Sequence, residues 1–326
     1  MGAPPIFNPV AFKISGFSIP NTVRYVSKLV EKRRIPRDWH EMRPSGCDKR
    51  QTANSCLFSI DAGAVSSDNF SIMIVEQIWV GNSLRNYNYL VACPETGEAL
   101  AIDPTESAAC LRMAKDKGWT IRHVLNTHEH HDHVSGNDAV CAATGATLIA
   151  HQTAQIPGVD RRVGAGDVIR VGRHELECLD TPGHTMSCLC VLAHGDESAI
   201  FTGDVLFNAG IGNCHGGDPG IAYETISTRL RTLPDDTRVY PGHDYLNRNL
   251  EFTLDREPDN QVARDLLKQY EAQDPTLLIS TLGLEKSINT FLRLDSPAII
   301  ERLSASKDSL TEKEVFLALR RARDSW

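Results

Sequence analysis

The chain has 326 residues, 41% hydrophobic and 23% charged, the composition of an ordinary globular protein with room for one large or two modest domains. No run approaches the roughly 18 consecutive apolar residues of a transmembrane helix. The net charge of −8 is uneven: residues 1–50 carry +6, which leaves −14 for the rest, and an acidic body excludes the basic footprint of a nucleic-acid binder.

Residues 1–67 are rich in Pro, Arg and Ser with little strand patterning and read as a basic N-terminal arm and linker. Before Glu31 the segment has Lys13, Arg24 and Lys28 and no acidic residue. After Pro20, the residues Val23, Val26, Leu29 and Val30 gather on one side of a helix. That is the character of a mitochondrial transit peptide. The alternative is a basic helix packed on the domain, because Glu31, Asp38 and Glu41 soon break the pattern. The expected location is mitochondrial or cytoplasmic. Nine cysteines without framework spacing predict reduced thiols in an intracellular compartment, with Cys188 and Cys190 on one strand face in the core.

Further along, strands are predicted over 70–80, 86–93 and 99–103, then a helix from Ser107 to Lys117 closed by Gly118. Ile121 to Leu125 is a strand, 139–143 continues a helix, and 146–150 is another strand. Short strands follow near 167–171, 174–179, 188–193 and 198–202, with a helix at 222–232. Beyond Tyr245 the pattern becomes helical: Val262, Leu266, Leu267 and Tyr270 share one face, and Thr311-x-x-Glu314 signals a capping box. The expected fold is an αβ/βα sandwich over 68–244 with a site along one edge, followed by a C-terminal helical domain over 245–326 laid over that site.

The chemistry is concentrated in Thr127-His-Glu-His-His-Asp-His133. His128, His130, Asp132 and His133 crowd four metal-ligating side chains together, which a core or surface would not favour and a pair of divalent cations explains. Three further segments share one design, a β-type run, a Gly or Pro turn, then one His or Asp. They end in His184 (Thr181-Pro-Gly-His), Asp204 (Phe201-Thr-Gly-Asp) and His243 (Val239-Tyr-Pro-Gly-His).

The pattern His128-x-His130-x-Asp132-His133, then His184, Asp204 and His243, resembles the metallo-β-lactamase superfamily. Phe201 to Phe207, Thr237 to Tyr245, Asn249 to Phe252, Ser280 to Leu282 and Phe291 to Arg293 are narrower and resemble the glyoxalase II, or hydroxyacylglutathione hydrolase, family. The resemblance spans roughly residues 68–296. It implies that His128, His130 and His184 bind one metal and Asp132, His133 and His243 the second. Asp204 bridges them, and with Asp132 it carries the catalytic role.

The implied cofactors are two divalent ions, zinc first, with iron or manganese equally suited to such ligands. The implied reaction hydrolyses a small-molecule thioester, S-(2-hydroxyacyl)glutathione, to a 2-hydroxy acid such as D-lactate plus glutathione. The resemblance places substrate contacts at Asn213, His215, Tyr245 and Arg293. Asn213 and His215 stand where the family commonly has Lys and Tyr, and Ser296 stands at a further Lys position, so weaker binding of the glutathione carboxylate is expected. The alternative is a persulfide dioxygenase using one iron held by His128, His184 and Asp204. Oligomeric state is left open.

Overall fold

A computed structural model describes residues 72–195, 197–270, 278–303 and 310–326. The expected basic arm lies outside the described residues, as do Phe70 and Ser71 of the first predicted strand. Strands β1 (Ile74–Trp79), β2 (Tyr87–Ala92), β3 (Glu98–Ile102), β4 (Thr120–Leu125), β5 (Thr147–His151) and β6 (Arg161–Val163) form one sheet in chain order. Strands β7 (Val168–Val171), β8 (His174–Asp180), β9 (Leu189–Ala193), β10 (Ala199–Gly203), β11 (Arg238–Pro241) and β12 (Ser280–Thr281) form the second, also in chain order.

Between the sheets lies one core, in which Tyr89, Leu100, Leu125 and Ile149 meet Ile169, Leu176, Val191, Phe201 and Tyr240. The outer face of the first sheet is covered by α1 (Ser107–Lys117) and α3 (Asn137–Thr144), through Cys110, Ala114 and Val140. β2 is therefore buried along its whole length. Its alternating sequence signals a half-exposed strand, but β1 and β3 flank it and α1 packs against it. The predicted helix at 222–232 divides into α4 (Pro219–Thr225) and a π-helical turn (Ile226–Leu230).

The C-terminal helices are α5 (Leu246–Arg256), α6 (Gln261–Tyr270), α7 (Leu282–Ile288), α8 (Pro297–Leu303) and α9 (Glu312–Asp324). Phe252, Leu282, Phe291, Ile299, Val315, Phe316 and Leu319 join Leu192, Ile200, Ile226 and Val239 in one cluster on the outer face of the second sheet. The described residues of the sandwich and of the C-terminal helices accordingly belong to a single compact unit. On α6 the buried face holds Ala263 and Tyr270, while Val262 is 48% exposed, so the predicted stripe is rotated by about one position.

Strand direction explains why the site sits at one edge. β9 is antiparallel to both β8 and β10, and β10 is parallel to β11. β8, β10 and β11 therefore end together, and the loops after them carry His184, Asp204 and His243. β4 opens at its C-terminal end into Asn126 and Thr127, and a short α2 (His131–Val134) follows to hold Asp132 and His133 one turn from His128 and His130.

Candidate metal centre

Two groups of ligating atoms meet at this edge, His128, His130, His184 and Asp204 in one, and Asp132, His133 and His243 in the other, with the atoms of each within 4.8 Å of one another. In the first, His130 Nδ1 lies 3.0 Å from His128 Nε2 and 3.1 Å from His184 Nε2. In the second, His133 Nε2 lies 3.1 Å from His243 Nε2, and Asp132 Oδ2 is 3.5 and 3.4 Å from these nitrogens. Asp204 faces both groups. Its Oδ2 is 3.5 Å from His184 Nε2, and its Oδ1 is 3.4 and 3.3 Å from His133 and His243 Nε2.

Fixed acceptors on the far side of the rings set the tautomers. His184 Nδ1 donates to the Asn213 carbonyl at 2.6 Å, and His243 Nδ1 to the Leu84 carbonyl at 2.7 Å. His133 Nδ1 donates to Asp103 Oδ2 at 2.9 Å. Thr127 Oγ1 spends its proton on the same carboxylate at 2.6 Å and accepts from His128 Nδ1 at 3.1 Å. With those protons placed on Nδ1, each ring in its neutral form presents its Nε2 lone pair to its neighbours, at a separation that repels unless a proton or a metal cation lies between them. Asp204 Oδ1 is buried and unpaired by any hydrogen bond, which is the second mark of a cation site. The donor set, imidazole nitrogens with carboxylates, fits divalent zinc, iron or manganese.

Electrostatics separate the two groups. Burial, helped by the neighbouring His133, holds the His128 imidazole well below the usual histidine range, and burial lowers His184 as well. Burial would also lower His133, but the Asp204 and Asp103 carboxylates raise it to about 9, and Asp204 raises His243 in the same way. Burial would raise the Asp204 carboxyl, yet His243 and His133 hold it well below the carboxylate range.

Two glycines make the convergence sterically feasible. Gly203 has φ +48° and lies against Thr127, and a Cβ on Gly242 would sit 2.5 Å from Asp204 Oδ1 and 2.9 Å from His133 Cε1. Asp103 itself is held at φ +46° just after β3. Asn86 Nδ2 donates to Asp132 Oδ2 at 3.1 Å. Neither Asp103 nor Asn86 stood out in the sequence, because an Asp or Asn at a strand end usually serves a turn.

A cavity of about 230 Å³ opens from Asp204 and is lined by Phe207, Ile211, Asn213, Tyr245, Asn249, Arg320, Arg323 and Asp324. Tyr245 stacks on His243 with ring centroids 5.0 Å apart, and its hydroxyl lies 3.3 Å from His243 Nδ1. Burial and the nearby carboxylates raise that phenol to about 12. The Asn213 side chain is exposed at the mouth and accepts from the His215 backbone N–H at 3.1 Å, and His215 is exposed beyond it.

Arg293, expected at the substrate, is not brought to the cavity. Its guanidinium closes on Glu257 through Nε at 2.7 Å and Nη2 at 2.9 Å, and Ser296 Oγ donates to the same carboxylate at 2.6 Å. Both residues brace the end of α5 and the start of α8. The cations that line the cavity, Arg320 and Arg323, come from α9 and were missed. Their signal was cations continuing the buried stripe, since Phe316, Leu319, Arg320 and Arg323 stand at i, i+3, i+4 and i+7 of one helix face and Arg320 is itself buried.

An αβ/βα sandwich with two His/Asp groups sharing one carboxylate at its edge defines a metallo-β-lactamase-type metalloprotein. The metallo-beta-lactamase superfamily model matches residues 84–243, and that of the hydroxyacylglutathione hydrolase C-terminus matches 244–326. A hydroxyacylglutathione hydrolase of Polaromonas sp. is 57% identical over 263 residues, which is 78% of this chain and 100% of that relative. That of Nitrosococcus oceani is 52% identical with the same coverage. The chain belongs to the hydroxyacylglutathione hydrolase family. Among solved structures, ETHE1 from Myxococcus xanthus superposes with a TM-score of 0.55 at 27% identity, covering 78% of this chain and 99% of that one. A metallo-beta-lactamase from Staphylococcus aureus gives 0.54 at 23% identity, with 78% and 72% covered, and speaks to the fold alone.

Proposed function

We propose that this chain hydrolyses S-(2-hydroxyacyl)glutathione, giving a 2-hydroxy acid such as D-lactate and glutathione, at a centre of two divalent cations, zinc first. The observation that carries this reading is Asp204, whose two oxygens face two complete groups of ligands. The mononuclear-iron alternative would leave Asp132, His133 and His243 converged without a role. His128, His130 and His184 would hold one ion and Asp132, His133 and His243 the other. Such a pair, when bound, supplies a water of lowered pKa and Lewis-acid polarisation of the substrate carbonyl.

The chain's own groups do the rest. Asp204 and Asp132 neutralise the charge of the centre, while Asp103, Thr127, Asn213 and Leu84 keep the imidazoles in the ligating tautomer. Tyr245 keeps its phenolic proton and can donate it along the wall next to His243. A thiolate leaving group needs no strong general acid, which suits a cavity without one. A carboxylate of the thiol carrier fits the far end, where Arg323 offsets the Lys-to-Asn change at 213, while Arg320 is already paired with Asp324 at 2.8 Å. The basic arm supports a mitochondrial or cytoplasmic location.

Elemental analysis of the purified protein should give about two metals per chain, with thioester hydrolysis of S-D-lactoylglutathione that a chelator abolishes. Saturation at one iron, with oxygen consumed on glutathione persulfide, would replace this reading by the dioxygenase.

A further inference from the structure

Glu285 on α7 is fully buried, and among the described residues its carboxyl is met by neutral groups. Burial raises the Glu285 carboxyl above the usual carboxylate range, and a group so buried is retained where its oxygens are hydrogen-bonded. Three neutral donors hold its two oxygens. The Ala209 backbone N–H donates at 2.7 Å and Asn289 Nδ2 at 3.4 Å to one oxygen, and Asn208 Nδ2 donates at 3.1 Å to the other. Ala209 sits at φ +58°, a left-handed conformation that a Cβ disfavours. The turn around it is closed by paired backbone bonds between Phe207 and Gly210 of 2.8 and 3.2 Å.

The rest of this segment is gripped in the same manner by the C-terminal helices. Asn249 Nδ2 donates to the Asn208 carbonyl at 2.9 Å, and Asn289 Nδ2 to Gly210 at 3.0 Å. Arg320 Nη1 donates to Ile211 and Gly212 at 3.3 and 3.0 Å. Residues 207–212 connect three parts of the metal centre. The Gly212 N–H donates to the Asp204 carbonyl at 3.1 Å, the next carbonyl, Asn213, orients His184, and the Phe207 ring meets His243 edge-on at 5.7 Å.

We propose that Glu285 is a positioning residue of the metal centre. By holding the left-handed turn at Ala209 it fixes the segment that places Asp204, His184 and the ring beneath His243. The inference rests on reading those side chains as metal ligands, and the metal content of the wild-type protein tests that reading separately.

The test compares the full chain with Glu285→Gln and Glu285→Leu, measuring metal retained against a chelator, kcat and KM, and thermal midpoint. Loss of a partner that orients metal ligands typically costs 10–100-fold in metal affinity or activity, so Glu285→Leu should lose metal about tenfold more readily and lose kcat more than KM. Glu285→Gln, which still accepts from Ala209, should fall between Glu285→Leu and wild type. Glu257→Gln is the control, since it unpairs Arg293 elsewhere in the same helices and should lower the thermal midpoint without releasing metal. Ala209→Gly, which adopts the turn unaided, should restore metal retention in the Glu285 variants and change little in wild type. Should Glu285→Leu fail to fold, Glu285→Gln with and without Ala209→Gly carries the same comparison. Wild-type metal retention in a folded Glu285 variant, equal metal loss in Glu257→Gln, or absence of rescue by Ala209→Gly would each overturn the proposal.

Discussion

At the scale of single residues, the two halves of the centre differ in their relation to protons. His133 is raised to about 9 by Asp204 and Asp103, so near neutral pH it holds a proton that a metal must displace, whereas His128 and His184 are lowered and already neutral. Affinity of the Asp132, His133 and His243 group should therefore rise with pH up to about 9, roughly tenfold per unit for one displaced proton, and fall as pH drops. Dialysis at a series of pH values followed by metal analysis should show this group emptying first below neutrality. Simultaneous loss of both metals would contradict the assignment. Arg323 is lowered to about 10 by burial and by its neighbours Arg248 and Arg320, a crowding of charge that an anionic ligand relieves. Arg323→Met should raise KM for S-D-lactoylglutathione about tenfold and leave kcat within about twofold, because a charge-assisted bond of about 1.5 kcal/mol is lost far from the carbonyl. An unchanged KM would mean that the carrier is held by other groups.

At the scale of elements, α9 joins the core of the second sheet to the wall of the cavity. Its first turn is closed by a capping box, in which the Glu314 N–H donates to Thr311 Oγ1 at 3.3 Å and the Thr311 N–H donates to Glu314 Oε2 at 2.8 Å. The capping-box sequence was legible, because the spacing of Thr and Glu is itself the mechanism. Thr311→Ala should cost about 1 kcal/mol and lower the melting temperature by roughly 2–4 °C, as thermal unfolding would show. An unchanged midpoint would mean that packing of Val315, Phe316 and Leu319 alone anchors the helix. Less legible were β6 and α2, three and four residues long, which are too short for any periodicity to register.

At the scale of the whole molecule, the C-terminal helices share their core with the second sheet, where Phe291 and Phe316 meet edge to face at 5.3 Å beside Ile200 and Val239. Burying such side chains contributes about 1.5–3 kcal/mol each, and most of that contact vanishes if the helices are separated. A fragment of residues 245–326 should thus show no cooperative unfolding by circular dichroism. A sharp transition in that fragment would establish an independent domain.

By itself the sequence determined the candidate ligand set and its edge-on placement, since His184, Asp204 and His243 each follow a strand through a Gly or Pro turn and the His128 to His133 run follows β4 after two residues. It also carried the αβ/βα class, through strand and helix periodicities. Only the tertiary structure decided which cations face the cavity. Arg293 and Arg323 are equally exposed to chance in the sequence, and the position of Glu257 pulls one into a brace while the packing of α9 turns the other toward Asp204. The same is true of Asp103 and Glu285. A buried carboxylate gains its meaning from the donors that surround it, and those come from segments far apart in the chain.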